Sequence, residues 1–198
     1  MTLNEVLKNT NYDVSLFSEE ARKYVEDAIV VKTIRGKEAL FIKCLKRDKE
    51  IALKPEEAVR QLYLYKLIHE YGYPTSRIEV EFPIHFGREV KRADIAIMDK
   101  DRLMVPYIIV ELKKPKLTDG KEQLKSYCNA TGAPIGVWTN GEQISYYNRK
   151  DPNYFEPITN IPKVSEKLSD IINEKFTYED LKKIDRISQQ KRSLRSLI

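Results

Sequence analysis

The chain has 198 residues, 41% hydrophobic and 33% charged, with 35 Lys+Arg against 30 Asp+Glu for a formal charge of +5. That length predicts one domain with room for a small satellite, and no apolar run approaches the roughly 18 to 20 residues of a membrane span, so a non-membrane protein is expected. The opening residues mix Asn, Glu and Lys rather than forming a charged-then-apolar leader, so the reading is cytoplasmic.

Ser18 ahead of Glu19 and Glu20 is a helix opening, a capping hydroxyl followed by acids in the first turn, with Ala21, Tyr24, Val25 and Ala28 as its apolar stripe. β-branched residues 29–34, the Arg35-Gly36-Lys37 turn and the strand-like pieces 39–45 and 51–53 then read as a small antiparallel preface. Pro55-Glu56-Glu57 opens a second helix, because proline loses nothing at the first helical position and acids there meet the positive end of the dipole. It runs to about Glu70, before the Tyr71-Gly72-Tyr73-Pro74 loop.

Residues 78–86 and 92–98 read as two strands joined through Gly87, and 105–112 as a third whose near-continuous apolar run predicts burial on both faces. A helix over 121–130 and strands over 135–138 and 144–147, flanking Asn140-Gly141, complete the order α-β-β-β-α-β-β. The chain divides into residues 1–54, a helix and antiparallel strands packing on the core, 55–150, the core, and 151–198, a connector with helices over 164–172 and 178–188. Cys44 and Cys128 could form at most one bridge and are read as reduced thiols.

Two strands each carry one carboxylate in an apolar run, Asp94 in the second and Glu111 in the third. Lys113 lies two residues after Glu111, and on a strand that spacing places both on one face. Paired carboxylates on adjacent strands, with a carbonyl such as that of Leu112, make a hard oxygen site suited to Mg2+. An amine beside such a site points to phosphodiester hydrolysis. The alternative is an ion pair of Lys113 with Asp94 or Glu111 at a partly buried sheet edge. The spacing acid-x-Lys recurs at Glu89/Lys91, Asp119/Lys121 and Asp180/Lys182, and only Glu111/Lys113 ends a buried strand beside another acid-bearing strand.

The strand with Asp94, then Val110-Glu111-Leu112-Lys113-Lys114-Pro115, then Gln123-x-x-x-Tyr127 on a helix, resembles the PD-(D/E)xK nuclease superfamily. Leu53-Lys54-Pro55-Glu56-Glu57-x-x-Arg60-Gln61 ahead of them resembles, more narrowly, the N-terminal nuclease domain of the restriction subunit of type I restriction–modification enzymes. The resemblance implies an α/β (α+β) restriction-endonuclease-like core with a central mixed sheet flanked by helices. It implies Asp94 and Glu111 as metal ligands, Lys113 as catalytic, and Gln123 and Tyr127 as supporting residues that contact DNA. Glu57 sits where many members carry a helix acid near the metal, although pairing with Arg60 at i+3 would explain it equally. Tyr127 also belongs to an apolar stripe with Leu124, Cys128 and Thr131.

The first motif reads Ala93-Asp94 rather than Pro-Asp. No Gly-x-x-x-x-Gly-Lys-[Ser/Thr] phosphate loop occurs, so ATP would act only through a motor outside this chain. The expected function is Mg2+-dependent endonucleolytic cleavage of double-stranded DNA, with specificity and methylation subunits of a type I complex as partners. The competing expectations are a catalytically silent DNA-binding or assembly module and a junction or repair nuclease. His69 and His85 lack metal-ligand spacing and read as packing or surface residues.

Overall fold

A computed structural model describes residues 3–7, 14–114 and 117–173. The helices α1 (Leu3–Val6) and α2 (Glu19–Asp27) precede strands β1 (Ile29–Ile34), β2 (Lys37–Lys43) and β3 (Glu50–Ala52). Ser18 caps α2, its Oγ accepting the Ala21 N–H at 3.2 Å. The β1–β2 turn is two residues long, with Arg35 at φ +53° and Gly36 at φ +78°. Positive φ at both central residues gives the turn the twist of the strands it joins. The three strands form the antiparallel preface expected of them.

The next helix, α3 (Pro55–Tyr65), begins with proline in its first turn and continues through a widened π turn, Lys66–Glu70. There follow β4 (Ile78–Phe86), β5 (Glu89–Met98), β6 (Pro106–Leu112), α4 (Lys121–Thr131), β7 (Ile135–Thr139), β8 (Ile144–Asp151) and β9 (Tyr154–Ile158). The six strands lie in chain order in one sheet, antiparallel except for β6 and β7. The parallel pair needs a crossover, which α4 supplies. From α3 to β8 the order is α-β-β-β-α-β-β, and the expected mixed sheet flanked by helices is the architecture of the chain.

Helices cover both faces of the sheet. On one, α2 and α3 bury Val25, Val59 and Leu62 with Ile95, Ile97, Val110 and Val137. On the other, α4 buries Leu124, Tyr127 and Cys128 with Ala96, Ile109 and Trp138. β6 and β7 are consequently buried on both sides, which is why their sequences are almost unbroken apolar runs.

The chain after residue 150 differs from the expected connector. β9 extends the sheet, and Ile158 and Ile161 are buried. β9 contains Pro157, which an edge strand tolerates because it needs only one row of hydrogen bonds. Beyond it the Tyr73 hydroxyl donates to the Pro162 carbonyl at 2.7 Å, and that of Tyr71 donates to Asn160 Oδ1. The helix expected over 164–172 is the shorter α5 (Leu168–Asn173), and that expected over 178–188 lies outside the described residues. Cys44 and Cys128 are free and buried. Among the described residues, no helix is long and apolar enough to cross a membrane.

Candidate active site

Asp94 stands one residue beyond the Ile95↔Val110 pair, at the end of the β5–β6 pairing. Its Oδ2 accepts the Leu112 N–H at 2.7 Å and its Oδ1 accepts Arg60 Nη2 at 2.7 Å. Glu111, paired in register with Trp138 of β7, is 2% exposed. Its Oε1 accepts Lys113 Nζ at 2.7 Å, whereas its Oε2 is buried without a hydrogen-bond partner. Burial, then the charge of Asp94, pushes the Glu111 carboxyl up to about 7 against the pull of Lys113. Burial opposes the Lys113 ammonium, but its hydrogen bond to Glu111 and the charges of Glu111 and Asp94 outweigh that and hold it above the usual lysine range.

The Lys113 backbone N–H donates to the Thr139 carbonyl at 2.9 Å, which continues the parallel pairing past the end of β6. Its side chain crosses Gly120, which has φ +92° and whose missing Cβ would overlap Lys113 Cε. Trp138 Nε1 donates to the Asp119 carbonyl at 2.7 Å and anchors that turn. Lys113 Nζ also donates to Gln123 Oε1 at 3.3 Å, and Gln123 Nε2 donates to the Tyr127 hydroxyl at 2.6 Å. Tyr127 therefore both packs in the core and ends a hydrogen-bonded chain that starts at Glu111.

Glu57 projects from the first turn of α3 and is 6% exposed. Its Oε2 accepts Arg60 Nη1 and its Oε1 accepts Gln61 Nε2, each at 2.7 Å. Both oxygens are thus engaged within the helix, and Glu57 reaches Asp94 through Arg60. Arg60 Nη2 also lies 2.9 Å from Glu81 Oε1 and 3.7 Å from Glu56 Oε1. Glu81 has φ +58° and falls between the paired positions Val80↔Ile95 and Phe82↔Ala93, facing Asp94. Burial, then Asp94, raises the Glu56 carboxyl.

Arg60 and Glu81 were missed in the sequence reading. Arg60 stands in the sequence only as part of the Pro-Glu-Glu-x-x-Arg-Gln motif and as a helical partner of Glu57, and Glu81 only as one residue of a strand. Positive φ at a glutamate has no sequence signal. His69 stacks on Tyr65 with ring centroids 4.3 Å apart and His85 is exposed on β4, so neither joins the site. The Glu89–Lys91 pair is an exposed contact of 3.6 Å, and the 180–182 repeat of the spacing lies outside the described residues.

Five carboxylates, Glu56, Glu57, Glu81, Asp94 and Glu111, meet two side-chain cations, Arg60 and Lys113. Glu57, Asp94 and Glu111 are the largely buried ones, and buried carboxylates are costly unless a further cation or a proton is taken up. The unpartnered Glu111 Oε2 beside Asp94 is a hard donor of the kind a divalent ion requires, so the residues fit such an ion. Among the described residues, no group of three or more His, Cys, Asp or Glu forms a ready cage.

Residues 55–162 match the family described as type I restriction enzyme R protein N terminus. The chain belongs to that family. The stretch that matches the restriction-enzyme family runs from the start of α3 past β9 and contains Glu57, Arg60, Glu81, Asp94, Glu111, Lys113, Gln123 and Tyr127. No curated protein matches the chain. Two solved structures are similar to it. A DUF820 protein from Anabaena variabilis, described as a candidate nuclease, has 16% identity and a TM-score of 0.39 over 91% of this chain and 97% of its own. The type IIG restriction endonuclease BpuSI has 24% identity and a TM-score of 0.37 over 59% of this chain and 14% of its own.

Proposed function

We propose that the chain is a Mg2+-dependent DNA endonuclease domain that hydrolyses phosphodiester bonds as the nuclease part of a type I restriction–modification R subunit. The observation that carries this reading is the buried, unpartnered Glu111 Oε2 at a site shared with Asp94 and Lys113. Membership of the R-protein family supports it.

In this reading Asp94 and Glu111 hold the ion. Bound there, Mg2+ supplies Lewis-acid activation of water and charge that offsets the phosphoryl oxygens. Lys113, held above the usual lysine range, stays protonated at neutral pH and acts as a charge and hydrogen-bond donor to the reacting phosphate rather than as a base. Gln123, backed by Tyr127, fixes the ammonium, and the Leu112 N–H fixes Asp94. Double-stranded DNA is the substrate. Specificity and methylation subunits would select the site, and ATP would act through a motor elsewhere in the complex.

The test is nicking of supercoiled plasmid with and without Mg2+. Asp94→Ala and Lys113→Ala are each expected to lower the rate by on the order of 100-fold or more, with unchanged circular dichroism. Cleavage that survives Lys113→Ala would overturn the assignment. Salt-sensitive DNA binding without any cation-dependent cleavage would favour a silent binding module instead.

A further inference from the structure

Arg60 already places a cation among the acids. Its Nη1 donates to Glu57, while Nη2 donates to Asp94 Oδ1 at 2.7 Å and forms an ion pair with Glu81 Oε1 at 2.9 Å. Its Nε is buried without an acceptor. The guanidinium therefore holds this orientation although one donor is left unsatisfied. Together with Glu111 Oε2, the site has one unmatched donor and one unmatched acceptor.

Arg60 and Glu81 also line a cleft of about 450 Å³ with Ile51, Lys54, Glu56 and Glu57, which gives the guanidinium space to move. A divalent ion on Asp94 would repel a guanidinium bonded to the same carboxylate. Glu57 and Glu81 can retain the displaced group, because Glu57 already accepts Nη1 and Glu81 Oε1 lies 2.9 Å from Nη2.

We propose that Arg60 stands in for the divalent ion at Asp94, and that Glu81 is the seat onto which Arg60 shifts when the ion binds. The inference rests on the cation site proposed above and adds two positioning residues to it, neither of which touches the ion. Arg60 weakens ion binding by competing for Asp94, and Glu81 strengthens it by drawing Arg60 away.

The test is titration of the intact protein with Mn2+, followed by the paramagnetic resonance signal of the free ion. Arg60→Met is expected to bind Mn2+ about tenfold more tightly and Glu81→Gln about three- to tenfold more weakly. In the double variant the Glu81→Gln step is expected to shrink below about twofold, because Glu81 acts through Arg60. Should Arg60→Met not fold, Arg60→Gln, which removes the charge but keeps a donor for Glu57, replaces it in the cycle with the same signs expected. Affinities that do not change, or a Glu81→Gln effect equally large with and without Arg60, would overturn this inference and leave the cation site standing. Failure of the unaltered protein to bind Mn2+ would remove the cation site, and this inference with it.

Discussion

Glu111 is where pH acts most directly on this protein. Its carboxyl is raised from 4.5 to about 7 by burial and by Asp94, so between those values the folded chain holds a proton that the unfolded chain has released. Folding stability from this group is therefore greatest below about pH 4.5, falls as pH rises through 7, and is lowest above it, a span of about 3 kcal/mol. Glu111→Gln removes the titration. Urea unfolding at pH 8 is expected to show the variant more stable by about 1 to 3 kcal/mol, with the gain vanishing near pH 4. A gain that is the same at both pH values would refute the burial argument. The residue pair itself was legible in the sequence, since Glu111 and Lys113 are two positions apart on a strand and meet at 2.7 Å. The orphaned second oxygen was not, because it depends on what the neighbouring elements fail to offer.

At the level of elements, the turn into α4 controls Lys113. Gly120 is left-handed at φ +92° and leaves the space that the Lys113 side chain fills, whereas Gly132, at φ +75° beyond the other end of the helix, has nothing near its absent Cβ. Alanine at either position is expected to lower stability by about 1 kcal/mol or more, because Cβ is disfavoured at positive φ. Gly120→Ala alone must also push the ammonium off Glu111, and its cleavage rate is expected to fall by on the order of 10- to 100-fold. Gly132→Ala should cleave like the unaltered protein. Equal rates for the two variants would show that Lys113 does not need this space. In the sequence Gly120 is only the residue before the helix over 121–130. The close approach of Lys113 to it joins two elements, and no local pattern encodes it.

For the whole molecule, the preface and the main sheet share one core. Phe17, Ala21, Val25 and Ile42 pack in the same cluster as Leu62, Ile95 and Val137, so residues before α3 should not melt separately. Trp138, the only tryptophan, lies in the opposite cluster. Chemical unfolding followed by Trp138 fluorescence and by far-ultraviolet circular dichroism is expected to give coincident transitions. An earlier change in dichroism than in fluorescence would mean that the preface unfolds on its own.

Periodicity sufficed for the order of strands and helices from α3 to β8, since apolar runs, a proline in the first turn of α3 and glycines flanking α4 act within a few residues of chain. It failed at β9, an edge strand containing Pro157 that exists because β8 offers it a free row of hydrogen bonds. The placing of Asp94 and Glu111 on their strands, of Lys113 just past the end of β6, and of Gln123 and Tyr127 on α4 could likewise be read from the sequence. Their connection into one network could not. Arg60 reaches Asp94 across 34 residues of sequence, and Glu81 faces Asp94 only because its backbone departs from the regular strand. Short-range backbone geometry sets which side chains point the same way along one element. How far one element stands from another is settled when the two faces of the sheet close over their cores, and the charge balance of the site follows from that closure.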